Sequence, residues 1–129
     1  MAERKNAKFD LDDRLLEFAA RIVRLAESLP HTDTGRHAGN QWLRAGTSSY
    51  AHHGEAEDAE PIGDFVHKLK LYLKESRETW RWIRLIQRIP LVEKPTLLAP
   101  LLDEADQLIR ILRQSIITAK ANRTQRNAS

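Results

Sequence analysis

The chain has 129 residues, 41% of them hydrophobic and 30% charged, with 21 Lys and Arg against 18 Asp and Glu. That length fits one domain able to bury a core without staples, and the balance is too apolar for disorder. Cysteine is absent, which removes disulfides, thiolate metal sites and thiol nucleophiles together and fits a reducing cytoplasm. The first ten residues are charged and carry no apolar core, so no signal peptide is expected, and no apolar run approaches membrane-spanning length. The expected setting is cytoplasmic, with no membrane partner.

Four segments show helical periodicity, each closed by Pro or Gly. The first runs from 11 to 29: Leu15, Phe18, Ile22, Leu25 and Leu29 recur at steps of 3 and 4, Asp10 is placed to cap it, and Pro30 ends it. The stretch from His31 to Gly35 reads as a turn. The second helix covers 36–58. Its apolar content is thin, and Gly39, Gly46 and Gly54 each cost about 1 kcal/mol relative to Ala, which implies close approach of another backbone.

Pro61 fits the first turn of a third helix covering 61–89, with Val66, Leu69, Leu73, Trp80 and Ile83 as its core stripe and Pro90 as its stop. A second apolar face of Leu71, Trp82 and Ile86 predicts burial on two sides, most simply against another subunit. The fourth helix covers 97–120, with Pro100 tolerable only in its first turn, and residues 121–129 are expected to fray as a disordered tail. The expected architecture is all-α: a single-domain antiparallel four-helix bundle, up-down-up-down.

The sharpest pattern is a row of cations on the third helix: Lys70, Lys74, Arg77, Arg81, Arg84 and Arg88. At about 100° per residue they share an arc of roughly 80°. Such a row suits phosphate contacts along an RNA or DNA backbone. The alternative is a solvated face, or one neutralised by Glu55, Glu57, Asp58, Glu60 and Asp64. A second basic region holds Arg110, Arg113, Lys120, Arg123 and Arg126.

Nothing reads as an enzyme site, a metal site or a cofactor site. Asp64 and His67 have the i, i+3 spacing of a carboxylate–histidine pair, but a di-iron bundle needs two such pairs and more carboxylates. His52 and His53 are adjacent and point about 100° apart on a helix. Thr47, Ser48 and Ser49 lie in a helix interior, where hydroxyls bond back to the preceding turn. No Gly-rich phosphate loop occurs. Gln41, Arg44, Ser48, His52 and Glu55 do share one face of the second helix. A partly buried Arg44 there needs a carboxylate, and Glu75 and Glu78 are the acids inside the otherwise basic third helix. That polar stripe reads as a structural network or as a site.

Several runs carry a family likeness. Gln41-Trp42-Leu43-Arg44-Ala45-Gly46-Thr47-Ser48 with Glu55-Ala56, then Asp64-Phe65-Val66-His67-Lys68-Leu69-Lys70 with Lys74-Glu75 and Glu78-Thr79, resemble the bacterial four-helix proteins of the 23S rRNA intervening-sequence family. The likeness covers residues 9 to 120. It implies homopentameric bundles, some encoded within insertions in 23S rRNA genes. It also implies a distant branch that serves a reverse transcriptase and nucleic acid. Gln41, Arg44, Ser48, Glu55, Glu75 and Glu78 occupy the family's motif positions, while His52 stands where the family typically has Asn. The expectation is a non-enzymatic, oligomeric nucleic-acid-binding protein, with a protein-interaction scaffold or accessory subunit as the alternative.

Overall fold

The computed structural model describes the backbone of residues 7–57, 62–89 and 91–128, and the side chains of 11–48, 50, 51, 64–89 and 91–125. Four helices follow in order: α1 (Ala7–Ala26), α2 (Asp33–Glu57), α3 (Ile62–Arg88) and, after a 3₁₀ turn at Pro95–Leu98, α4 (Ala99–Ala128). No strand occurs among the described residues. α2 packs on α1 and on α3, α3 packs on α4, and α1 meets α4 along a shorter stretch; among the described residues the backbones of the diagonal pairs, α1 with α3 and α2 with α4, stay apart. Gly46 lies against Ile22 and Gly39 against Leu29, while His37 reaches Trp82 and Arg44 reaches Glu78. Later residues of α2 thus meet earlier ones of both neighbours, and the bundle is antiparallel, up-down-up-down.

The helix ends depart from the sequence reading for local reasons. α1 already includes Ala7, so Asp10 lies inside the helix and is not its cap. It closes at Ala26, where tight turns bring Ser28 N to Leu25 O (3.0 Å) and Leu29 N to Ala26 O (3.2 Å) ahead of Pro30. The stretch from His31 to Gly35 is less a turn than a helix start. Thr32 Oγ1 accepts the Gly35 N–H at 3.0 Å, an N-cap bond, and Arg36 pairs with Asp33 at 2.9 Å. Pro100 occupies the second residue of α4, where its missing N–H is harmless. The expected disordered tail is a continuation of α4 through Ala128.

The core draws Leu15, Phe18 and Ile22 from α1, Trp42 from α2, and Leu101, Leu108 and Leu112 from α4. From α3 it takes Val66, Leu69, Tyr72, Ser76, Thr79, Ile83 and Ile86, a seam stepping by 3 and 4. This corrects the sequence reading twice. Leu73 and Trp80 are only half-buried, and Ile86, assigned to a second apolar face, is in the core. Thr79 is admitted because its hydroxyl bonds back to Glu75 O at 2.9 Å. The ring of Trp42 is fully buried and its indole N–H has no partner among the described residues, at a cost of about 1–3 kcal/mol. Gly46 is approached closely by a side chain and not by the expected backbone, since a Cβ there would lie 2.8 Å from Ile22 Cγ2. Gly39 leaves ordinary room, and the side of Gly54 lies outside the described residues.

Candidate nucleic-acid interface

The seam of α3 leaves its opposite side to solvent, and the cations fall there. Lys70, Lys74, Arg77, Arg81, Arg84 and Arg88 are all exposed. They form two parallel rows with seven-residue spacing: Lys70, Arg77, Arg84 and Lys74, Arg81, Arg88. Among the described residues none of the six stands in an ion pair. The acids that might have answered them go elsewhere. Asp64 faces Lys68 at 3.7 Å and Glu78 goes to Arg44. The side chains of Glu55, Glu57, Asp58 and Glu60 lie outside the described residues. From Lys70 to Arg88 the stripe covers 19 residues, about 27 Å of helix axis. Gaps between Lys70, Leu73, Lys74, Arg77, Glu78 and Arg81 make a shallow depression walled by α3 alone, suited to an extended ligand rather than an enclosed small molecule.

Two neighbours of the stripe escaped the sequence reading. The Arg84 guanidinium lies 5.3 Å from the ring centroid of Trp80, a cation–π contact that the i, i+4 spacing could have announced. Across on α4, Lys120 lies beside Lys70, and its pKa falls below the ordinary 10.5, first because of Lys70, with slight desolvation and Arg123 adding. That proximity had no sequence signal, because residue 120 was placed at the end of its helix.

The polar stripe of α2 is assembled only in part, and on the surface. Arg44 Nη2 bonds Glu78 and, at 3.5 Å, Gln41 Oε1; Ser48 Oγ donates to the Arg44 carbonyl at 2.6 Å. The expected partial burial of Arg44 is wrong: its side chain is 53% exposed and that of Glu78 34%. Trp42 and Ala45 turn the buried side of this run inward, which rotates Arg44 outward. Glu75 is half-buried one turn before Thr79. The side chains of His52 and Glu55 lie outside the described residues.

Thr47 and Ser48 bond back to Leu43 O (2.7 Å) and Arg44 O (2.6 Å), as helix-interior hydroxyls do. Ser49, His52 and His53 have side chains outside the described residues. Among the described residues no group of three metal-capable side chains forms. No described helix is long and apolar enough to cross a membrane.

The expected second apolar face of α3 takes a different form. Trp82 is half-buried, its ring edge-on to His37 of α2 at 5.8 Å. Leu71 is exposed, and so are Leu85 and Ile89. These three lie between the basic rows and the α2 side of the helix.

No protein-family model matches the chain, and no curated protein matches it. A crystal structure is similar: that of a protein of unknown function from the S23 ribosomal protein family of Bacteroides thetaiotaomicron VPI-5482. The two share 32% identity and a TM-score of 0.77, over 84% of this chain and 96% of the other. With identity at that level across nearly all of its relative, this chain belongs to the S23 ribosomal protein family.

Proposed function

We propose that this protein is a non-enzymatic, oligomeric, cytoplasmic protein that binds nucleic acid, RNA above all, along the outer face of α3. One observation carries the reading: six exposed cations in two rows on a rigid helix, none in an ion pair among the described residues. Like charges so placed repel one another, and a phosphate backbone relieves that repulsion while releasing its own counterions. Four of the six are arginines, whose planar fork suits bidentate phosphate contact.

We take the family to be that of the 23S rRNA intervening-sequence proteins, on the runs from Gln41 to Ser48 and from Asp64 to Lys70. That likeness supports an RNA setting and a closed ring, with a pentamer the expected form and a reverse transcriptase a partner in one branch. Leu71, Leu85 and Ile89, exposed beside the stripe, support self-association, since leucine and isoleucine left to water favour burial against another subunit. A ring would repeat the basic face and multiply weak contacts. The same apolar residues favour the second reading, a scaffold that binds a protein and no nucleic acid.

The test sets wild type against Arg77→Glu/Arg81→Glu with a labelled single-stranded RNA at low salt. Arg84 is spared because it covers Trp80. The reading requires binding by wild type and its loss in the variant, with helicity and assembled mass kept. Equal binding by both, or none by wild type, hands the function to the scaffold.

A further inference from the structure

The depression along α3 holds one group that a phosphate grip does not need. Its lining is four cations, Lys70, Lys74, Arg77 and Arg81, with the half-buried Leu73 at one edge and Glu78 at the other. Its volume is about 430 Å³, room for one nucleotide of a passing strand. A carboxylate beside that path repels each phosphate that the cations attract. Glu78 stands four residues after Lys74 and three before Arg81, spacings that favour an ion pair within the helix, yet it bonds Arg44 of α2 instead. The tie to Arg44 does not by itself call for an acid, since a glutamine carbonyl would accept from Arg44 without opposing phosphate. That bond takes Oε2 and leaves Oε1 without a hydrogen bond among the described residues, on a side chain open to water. The result is a charged acceptor, steadied from the neighbouring helix, at the edge of a row of free cations.

We propose that Glu78 reads bases: the phosphates of a single strand follow the cations, and Glu78 Oε1 accepts from the exocyclic amino group of a base turned toward α2, so that cytosine is preferred to uracil. This rests on the nucleic-acid reading and deepens it, because the cations alone hold every sequence equally. Cytosine offers its N4 amino group as a donor, where uracil carries the O4 carbonyl, whose lone pairs meet those of the carboxylate. In a single strand these edges are open to a side chain. A hydrogen bond from an amino group to a carboxylate is charge-assisted. Arg44 holds that carboxylate in place beforehand, so little freedom is lost when a base arrives. Strands of cytidine and of uridine carry the same phosphates, and the difference between them lies at the base edge.

The test titrates the full chain with labelled oligocytidylate and oligouridylate of equal length, at neutral pH and low salt. Wild type is set against Glu78→Gln and against Glu93→Gln, which removes the same charge from an exposed site in the α3–α4 connection. Glu78→Gln keeps the size of the side chain and an acceptor for Arg44, and thermal melts check that its fold is kept. Wild type should bind the cytidine strand about fivefold or more tightly than the uridine strand, the worth of one net hydrogen bond. Glu78→Gln should bind both strands more tightly and cut the ratio to about twofold or less, because an amide donates to O4 as readily as it accepts from N4. Glu93→Gln should keep the wild-type ratio. Equal binding of both strands by wild type overturns the base reading and leaves the nucleic-acid reading standing. A cytidine preference that survives in Glu78→Gln overturns it as well, since the discriminating group then lies elsewhere. If wild type binds neither strand at low salt, the nucleic-acid reading falls and the role of Glu78 falls with it.

Discussion

Gly35→Ala should destabilise this protein although alanine is the better helix former. Gly35 sits in the first turn of α2, and its φ is not positive, so the glycine answers a demand for space, not for a left-handed backbone. A Cβ built there would lie 2.0 Å from the Pro30 carbonyl oxygen, 2.9 Å from Pro30 C and 3.2 Å from Thr32 Oγ1. The first two atoms are backbone and cannot swing aside. The α1–α2 connection would have to shift by more than an ångström, and the bond from Gly35 N to Thr32 Oγ1 (3.0 Å) shifts with it. Overpacking of this kind costs about 1–3 kcal/mol and a lost Thr cap about 1 kcal/mol. The helix propensity of alanine returns about 1 kcal/mol. The net is a loss of about 2 kcal/mol, or roughly 8 °C in Tm for a chain of this size. Gly39→Ala, one turn on, is the internal control. Its Cβ would meet Leu29 Cδ1 at an ordinary 3.4 Å, so the propensity gain survives and Tm should rise. Thermal melts by circular dichroism at one fixed protein concentration read both signs. If Gly35→Ala melts at or above wild type, the packing account of this turn is wrong.

At Gly46 the obstacle is a side chain, the stiff and fully buried Ile22 at 2.8 to 3.2 Å; Gly46→Ala should cost about 1–2 kcal/mol in urea melts, and Ile22→Val should recover part of it in the double variant, whereas strict additivity would contradict the contact. Arg44→Ala should cost only about 0.2–1 kcal/mol, because the pair with Glu78 is open to water and screened by salt; a loss above about 2 kcal/mol would mean the pair is buried in the assembled protein. Light scattering across a dilution series should give a mass several times 14.9 kDa, near five-fold for a pentamer, and a monomer persisting at micromolar concentration would remove the oligomer from the proposal.

The architecture was legible because apolar residues at steps of 3 and 4, punctuated by Pro30 and Pro90, leave few alternatives to four packed helices. The basic stripe was legible for the same reason, since helical periodicity alone places Lys70 to Arg88 on one face. What failed was the choice of seam on α3. Trp80 and Leu73 look like core and Ser76 and Thr79 do not, but burial followed the position of the neighbouring helices, and Thr79 could enter by bonding back to Glu75 O. The burial of Arg44 failed likewise: the thin apolar content of α2 suggested a buried polar face, while Ala38, Trp42, Ala45 and Gly46 take the inward side. The end of α4 was misjudged because polar residues without apolar periodicity resemble a frayed tail.

The central claim, that the α3 face grips a phosphate backbone, is tested most directly by the salt dependence of RNA affinity in the wild-type protein. Binding of a single-stranded RNA is measured by fluorescence anisotropy across a salt series, and log affinity is plotted against log salt. Each phosphate contact to a single strand contributes about −0.7 to the slope, so six engaged cations on one protomer give about −4. The account predicts a slope near that value, steeper if α4 or further protomers join the contact. A slope shallower than about −1, or no binding at the lowest salt, would contradict it.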